Sequence, residues 1–198
     1  MAISLTKGQK VSLTKEKPGL SEIFVGLGWD EVQQNSGFLG SLFGKKQDID
    51  CDASVYLLKG GKLKSEDDMV FFNNLKHKSG AVTHHGDNLT GGGDGDDEQI
   101  SISLQKVPAE YDRIVIAVNI YKASERKQHF GLVQNAFIRV VDKSTNTEIC
   151  RYNLTDDYSG KTGAIFGEVY REGGEWKFGA VGEGIQASYI SDIAKRYS

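Results

Sequence analysis

The residues best suited to chemistry are the acidic side chains of a glycine-rich segment, residues 85–98. Between Asp87 and Glu98 the sequence has five carboxylates and no cation. Carboxylates held this close repel one another unless a positive charge neutralises them. Glycines let the backbone turn sharply and point carbonyl oxygens inward, and calcium binds about six to eight oxygen ligands. The segment therefore predicts a calcium site; the competing interpretation is a solvated acidic loop.

Known metal-binding and phosphate-binding loops do not fit this segment. An EF-hand that begins at Asp94 requires a glycine at its sixth position, where Gln99 stands, and a glutamate at its twelfth, where Gln105 stands. Residues 92–97 match the first part of a calcium-binding β-roll repeat, but the motif occurs once and a roll needs stacked repeats. The carboxylates would repel a phosphate group, which excludes a phosphate-binding loop.

A second acidic cluster lies in residues 48–52. Asp48, Asp50 and Asp52 alternate with apolar residues. In an extended segment this spacing puts the three carboxylates on one face, where they could share a cation. The alternative is the solvated start of a strand, and the spacing alone does not decide between the two.

Short runs of β-branched and aromatic residues, separated by turn residues, predict many strands. Strands are expected at residues 3–5, 10–13, 22–27, 53–58, 69–73, 81–83, 99–104, 113–121, 136–142, 148–153, 164–171 and 175–181. The first two flank a turn at Lys7 and Gly8 and are expected to pair as a hairpin. Gly173 and Gly174 predict another hairpin, because glycines supply the positive φ that tight hairpin turns need.

The order of these elements predicts the fold class. Residues 113–121 are nearly all apolar, as expected for a central strand covered on both faces. Helical spacing of apolar side chains occurs at residues 184–197. The pattern predicts an all-β fold, an antiparallel β-sandwich with long acidic loops at one end and a short C-terminal helix. The length of 198 residues is expected to form a single domain, residues 1–198.

Composition excludes several functional classes. The net charge of −3 gives no general attraction to nucleic acid. No segment approaches the ~20 apolar residues of a membrane span, and the N-terminal residues do not resemble a secretion signal. We therefore expect a cytoplasmic protein without direct membrane insertion. Cys51 and Cys150 fit no metal or redox spacing and are expected to be reduced.

Two other kinds of metal chemistry compete with a calcium-binding module. His84 and His85 are adjacent and would point to opposite faces of a strand, which disfavours a zinc or copper site. A metal-dependent hydrolase acting on a phosphoester-like substrate is the enzymatic alternative, because a metal can activate water. The non-enzymatic hypothesis is that calcium orders the acidic loop, which then presents a surface to protein partners. It predicts that replacing Asp96 and Asp97 by Asn abolishes the calcium response and leaves the metal-free fold intact, because repulsion is relieved.

Specific motifs are distributed over the whole chain. The most specific is Gly86-Asp87-Asn88-Leu89-Thr90-Gly91 followed by Gly95-Asp96-Asp97-Glu98, and further motifs lie at residues 27–30, 48–54, 71–74, 135–140 and 173–178. Together they resemble the TerD family, calcium-binding tellurium-resistance and stress-response proteins of bacteria. Cys51 stands where that family often has an apolar residue.

The resemblance implies a β-sandwich that binds two calcium ions near one end and takes part in resistance to tellurite and other stresses, without established catalysis. It also implies the ligands, which would come from Asp87, Asn88, Asp94, Asp96, Asp97 and Glu98, with Asp50 and Asp52 approaching from a neighbouring strand. The implied partners are other proteins of the tellurium-resistance system, with membrane association of those proteins left open.

Overall fold

Residues 2–31, 49–87 and 95–198 are described by the computed structural model, in which they form two six-stranded β-sheets. The strands are β1 (Ile3–Leu5), β2 (Lys10–Ser12), β3 (Glu22–Glu31), β4 (Cys51–Leu58), β5 (Met69–Val70), β6 (Val82–Asp87), β7 (Glu98–Ser103), β8 (Arg113–Ile120), β9 (Val133–Asp142), β10 (Thr147–Asn153), β11 (Gly163–Glu172) and β12 (Glu175–Ile185). The first sheet has the order β1-β10-β9-β3-β7-β6, and the second has the order β2-β12-β11-β8-β4-β5. Inward-facing side chains of both sheets form an apolar core, so the predicted β-sandwich is confirmed.

The first two strands do not form the predicted hairpin. β1 pairs in parallel with β10 of the first sheet, whereas β2 pairs antiparallel with β12 of the second sheet. The turn between them has positive φ at Gly8, whose N–H donates to the carbonyl oxygen of Ala180 in β12. Each three-residue strand thus pairs with a longer strand instead of with the other short one. The chain crosses from the first sheet to the second at this turn.

The predicted hairpin at Gly173 and Gly174 is confirmed. It joins β11 to β12, with Glu172 paired to Glu175 across the turn. The two glycines have φ of 62° and 80°. Positive φ at both central residues is what a two-residue hairpin turn requires.

The central strand β8 is buried on both faces, as its apolar sequence predicts. Its inner face belongs to the core between the sheets. Its outer face contributes Val115 and Ala117 to a second apolar cluster that also contains Ile193. Ile193 lies in helix α3 (Ile190–Ala194), so the C-terminal helix covers the outer face of the second sheet. The other α-helices in the described ranges are α1 (Leu13–Glu16) and α2 (Ala123–Arg126).

The C-terminal helix is shorter than the predicted 184–197. β12 continues to Ile185, and α3 begins five residues later and is followed by a 3₁₀ turn at Lys195–Tyr197. Ile185 and Ile193 nevertheless pack in the same apolar cluster. The two isoleucines are therefore buried in the same cluster, although they do not belong to one continuous helix.

One end of the sandwich contains both acidic regions. At the end of β8, the N–H of Tyr121 donates to the carbonyl oxygen of Asp50 at 2.8 Å. From there the chain leads to β9, whose start pairs with the end of β3. The same part of β3 pairs with Glu98, where β7 begins. Asp50 and Asp52 of the second sheet and residues 96–98 of the first sheet therefore lie at the same end.

Two expectations from composition can be compared with the structure. Cys51 and Cys150 are buried and not joined by a disulfide, as expected. Burial raises the pKa of Cys150 to about 12, which keeps it a neutral thiol. In the described part of the chain, no helix is long and apolar enough to cross a membrane.

Candidate metal centre

From Gly95 onward the acidic segment is fixed to β3 by two hydrogen bonds. The N–H of Asp97 donates to the carbonyl oxygen of Leu27 at 2.7 Å. The N–H of Trp29 donates to Oδ2 of Asp97, also at 2.7 Å. These bonds hold the Asp97 carboxylate in one position immediately before β7 begins.

Asp96 forms a buried ion pair with Arg139 of β9. Nε and Nη2 of Arg139 donate to the two carboxylate oxygens at 2.7 and 2.9 Å. The Asp96 side chain is 2% exposed and the Arg139 side chain is 30% exposed. The hydrogen bonds to Asp96 raise the pKa of Arg139, whereas burial alone would lower it. Bidentate pairing of this kind fixes the position of both groups.

The ion pair changes one expectation from the sequence. Neutralising Asp96 is predicted from the sequence to leave the metal-free fold intact, because it would relieve repulsion between carboxylates. In the structure Asp96 faces a cation, so its neutralisation would leave the half-buried guanidinium of Arg139 with only its longer contact to Glu148, at 3.3 Å, among the ion pairs described. The corrected expectation is a loss of stability.

Two glycines of β3 make room for side chains on the outer face of the first sheet. A Cβ at Gly26 would lie 2.3 Å from the Asp96 carboxylate, and one at Gly28 would lie 2.3 Å from the Phe137 ring. Leu27 between them is fully buried in the core. Because side chains alternate between the faces of a strand, the Gly-Leu-Gly sequence leaves space for a carboxylate and an aromatic ring directly over the backbone.

Glu98 is buried beside a histidine of the neighbouring strand. Glu98 and His84 are each 3% exposed, and Nε2 of His84 lies 3.3 Å from Oε2 of Glu98. His85 is exposed and contacts Ser101. The two histidines therefore point to opposite faces, as predicted, and the predicted ligand Glu98 lies against an imidazole inside the sandwich.

The alternating pattern of the second acidic cluster is confirmed for the part that the structure describes. Ile49 and Cys51 are buried, whereas Asp50 is exposed and Asp52 is half-buried. Oδ2 of Asp50 lies 3.3 Å from Nη1 of Arg126, which follows β8 in the chain. Asp50 therefore already contacts a cationic side chain at the surface.

Several predicted ligands lie outside the described residues. These are Asn88 and Asp94, and Asp48 of the second cluster is outside as well. Asp87 ends β6 and pairs with Glu98 across the sheet, but its side chain belongs to the same undescribed group. Within residues 2–31, 49–87 and 95–198, no group of three or more His, Cys, Asp or Glu side chains is arranged to hold a metal ion. The ligand set stays a prediction.

A cleft of about 690 Å³ lies beside the described end of the acidic segment. Gly95, Asp97 and Asp30 line it, so that two carboxylates border one volume. Oδ2 of Asp30 accepts a hydrogen bond from Nδ2 of Asn135 at 2.8 Å. Carboxylate oxygens gathered in this way fit a hard cation such as calcium. Asp96 fits less well, because both of its oxygens accept hydrogen bonds from Arg139.

The sequence did not identify Asp30, Asn135 or Arg139 as site residues. The alternating glycines before Asp30 were a usable signal, since small residues on one strand face leave room for a neighbouring group. Asn135 has a left-handed φ of 54°, which no local sequence pattern marks. Arg139 is 43 residues from Asp96, and only the strand order brings the two together.

Comparison with known proteins gives the family. The TerD domain model matches residues 1–197. The chain belongs to the TerD domain family. The stress response protein SCP2 of Bacillus subtilis (strain 168) is 54% identical to this TerD domain over 198 residues, which are 100% of both chains. The tellurium resistance protein TerD of Serratia marcescens is 47% identical over 196 residues, which are 98% of this chain and 97% of that relative.

A solved structure confirms the TerD fold. The structure of a homologue of telluride resistance protein (TerD) from Streptomyces coelicolor A3(2) has a TM-score of 0.67 at 19% identity, covering 91% of this chain and 99% of that one. The family model and the two relatives confirm the family that the motifs predict. The names of the two relatives refer to stress response and tellurium resistance and name no catalysed reaction.

Proposed function

We propose that this TerD domain is a calcium-binding, non-enzymatic module of a bacterial tellurite-resistance and stress-response system in the cytoplasm. Two calcium ions would order the acidic segment, which then presents a surface to other proteins of that system. The names of the relatives support the resistance and stress-response role. The calcium role is supported by the carboxylates of residues 87–98 and by the cleft that Asp30 and Asp97 line.

The observation that carries the calcium proposal is the fixed Asp97 carboxylate beside Asp30. Asp97 is held by the N–H of Trp29, and Asp30 is held by the amide of Asn135. Both line the same cleft, and carboxylate oxygens are ligands that suit calcium. Asp50 and Asp52 lie at the same end but on the other sheet, so a shared cation would connect the two sheets.

The residues around this cleft have different roles in the proposal. Asp97 and Asp30 would bind the cation, and calcium would supply the positive charge that neutralises them. Arg139 holds Asp96 and thereby fixes the start of β7. The bond between Asp97 and Leu27 keeps the backbone of this segment on β3. The described side of the site is thus preorganised by hydrogen bonds to protein groups.

Calcium titration of the melting temperature tests the proposal. Calcium at about 100 times its Kd stabilises a protein that binds only when folded by about 2.7 kcal/mol, which raises the melting temperature by about 5–10 °C for a chain of this size. Magnesium should have a smaller effect, because it prefers few carboxylates and retains water. The absence of both a heat of binding and a thermal shift at millimolar calcium would contradict the proposal.

The Asp97→Asn variant shows whether the response comes from this site. An Asn side chain keeps an oxygen that can accept from the N–H of Trp29, so we expect the metal-free fold to persist while the calcium shift is largely lost. Glu110→Gln is the matched control, because Glu110 is an exposed carboxylate paired with Lys59 before the start of β8, at the other end of the sandwich. It should retain the full calcium shift.

A further inference from the structure

A serine, a histidine and an aspartate are neighbours at the end of the sandwich opposite the acidic segment. Oγ of Ser79 lies 2.7 Å from Nδ1 of His77. On the other side of the imidazole, Nε2 lies 3.5 Å from Oδ1 of Asp68. A hydroxyl, a base within hydrogen-bond reach and a third group that faces the base form the arrangement that activates a hydroxyl as a nucleophile. The proposed function uses none of these three residues.

The backbone of the turn determines which nitrogen of His77 is the base. The N–H of Ser79 donates to Nδ1 of His77 at 3.2 Å. A ring nitrogen that accepts from a backbone N–H carries no proton of its own, so the proton of the neutral imidazole is on Nε2. The hydroxyl of Ser79 therefore donates to Nδ1, and the N–H at Nε2 faces the carboxylate of Asp68. This is the proton arrangement that a general base needs before it accepts a proton.

The groups behind His77 fix the orientation of its ring. Asp68 is fully buried, and its Oδ1 accepts a hydrogen bond from the hydroxyl of Tyr111 at 2.7 Å. The ring of Tyr111 is perpendicular to the imidazole, with the two centroids 5.3 Å apart. The His77 side chain is 0% exposed. The imidazole is therefore enclosed between a carboxylate and an aromatic ring, with Nδ1 directed at Ser79.

His77 is a neutral base at neutral pH. Burial lowers its pKa, against the effect of Asp68, which raises it. The ammonium groups of Lys78 and Lys59 lower the pKa further. Because the pKa lies below the ordinary value of 6.5, the imidazole can accept a proton from the Ser79 hydroxyl at pH 7.

The serine is accessible although the histidine is enclosed. Ser79 is half-buried in the turn before β6, and the next residue, Gly80, has a φ of 70°. Among the described residues, a Cβ at Gly80 would meet Cε of Lys76, at 3.7 Å, and no other atom within 4 Å. The turn therefore has open space beside Ser79 for a reagent. The ammonium group of Lys76 suits the negative charge that forms when a hydroxyl attacks a carbonyl.

We propose that Ser79 is a covalent modification site that accepts an acyl group from an activated acyl donor. Oγ of Ser79 attacks the carbonyl carbon of the donor while its proton passes to Nδ1 of His77. The bond from that carbon to the leaving group then breaks, and His77 returns the proton to the leaving group. The products are an ester of Ser79 and the protonated leaving group. One acyl group is transferred to each chain, and no metal ion takes part.

Acetylation by p-nitrophenyl acetate tests the proposal on the full chain at pH 7 in EGTA, with the modified residues located by peptide mass spectrometry. Ser101 is a control within the same chain. It is also half-buried, and its Oγ also lies 2.7 Å from a histidine nitrogen, Nε2 of His85, but His85 is exposed. We expect Ser79 to be acetylated at least about tenfold faster than Ser101. Equal rates at the two serines, or no acetylation of Ser79, would overturn the proposal.

The His77→Gln variant separates activation of the hydroxyl from its accessibility. Glutamine keeps an oxygen that can accept a hydrogen bond but is not a base, so acetylation of Ser79 should become at least about a hundredfold slower. The His85→Gln variant should acetylate Ser79 at the unchanged rate. A rate in His77→Gln that equals that of the unchanged chain would contradict the role of His77.

The pH profile is a second readout of the same base. In the unchanged chain the rate at Ser79 should be constant between about pH 7 and pH 8.5, because His77 is already neutral. A serine without a base reacts through its alkoxide, whose fraction rises about tenfold for each pH unit. A tenfold rise per unit at Ser79 would show that its hydroxyl is not activated.

Discussion

Two buried carboxylates at opposite ends of the sandwich are stabilised by different kinds of partner. Asp96 is 6% exposed and accepts two hydrogen bonds from the guanidinium of Arg139. Asp68 is fully buried near the start of β8. Its Oδ1 accepts a hydrogen bond from the hydroxyl of Tyr111 at 2.7 Å. The same oxygen lies 3.3 Å from Nζ of Lys78 and 3.5 Å from Nε2 of His77.

The difference lies in which partners can change their charge. The pKa of Arg139 is raised by its bonds to Asp96, so the guanidinium stays charged at any ordinary pH. Burial lowers the pKa of His77, against the effect of Asp68. Burial raises the pKa of Asp68, but its bonds to Tyr111 and to the lysine outweigh this, and the pKa is lowered overall. The partner of Asp96 thus keeps its charge, whereas the partners of Asp68 include an imidazole whose pKa is lowered by burial.

Asp96→Asn should have the largest effect on stability. The change weakens two charge-assisted hydrogen bonds and leaves Arg139 with its longer contact to Glu148 at 3.3 Å, and because Arg139 is 30% exposed we expect a cost of about 2–3 kcal/mol. Chemical denaturation at neutral pH in EGTA measures this cost. In a double-mutant cycle, adding Arg139→Gln should cost less than the sum of the single changes. Additive costs would show that the pair is not coupled.

Gly26→Ala should disturb the same pair without changing a charge. The new Cβ would lie 2.3 Å from the Asp96 carboxylate, so the carboxylate must move away from Arg139, at a cost of about 2 kcal/mol. Gly95→Ala is the matched control, because a Cβ there meets no atom of the described residues within 4 Å. Equal stability of the two variants in urea denaturation would show that the carboxylate can move freely.

Tyr111→Phe should weaken the other buried carboxylate less. The change removes the 2.7 Å hydrogen bond to Asp68, while the ammonium and imidazole partners remain, so we expect a cost of about 1.5 kcal/mol. Burial raises the pKa of Tyr111 to about 12, so its hydroxyl keeps this proton at neutral pH. A cost larger than that of Asp96→Asn, measured by the same denaturation, would reverse the order proposed for the two ends.

His77→Gln should have the smallest effect, seen as a change in pH dependence. The pKa of His77 in the folded state lies below its ordinary value of 6.5, so the unfolded chain binds the proton first as the pH falls. The stability contributed above about pH 6.5 is lost as the pH falls through the folded pKa. The variant should therefore lose less stability between about pH 7 and pH 5 than the unchanged chain. His85→Gln is the control for removing a histidine, because His85 is exposed on the outer side of β6.

Long-range pairing limits what the sequence can predict of this molecule. The apolar sequence of β8 and the two glycines between β11 and β12 determine their structure from neighbouring residues alone. The predicted buried strand and the predicted hairpin are both confirmed. The three-residue strands β1 and β2 contain too few side chains to select a partner, so the hairpin predicted from the turn between them is wrong. Asp96 and Arg139 form a pair only because β3 and β9 are neighbours. The sequence therefore located the acidic end but not the groups that hold it.

The C-terminal segment has a practical consequence for attaching the protein to a surface. The carbonyl oxygen of Tyr197 accepts from the N–H of Leu63, and Leu63 follows β4 at the end away from Asp50. A tether or fluorophore attached after Ser198 would therefore emerge at the far end of the sandwich from the acidic segment. Molecules immobilised in this way should share one orientation, with the cleft and its neighbouring carboxylates directed into solution.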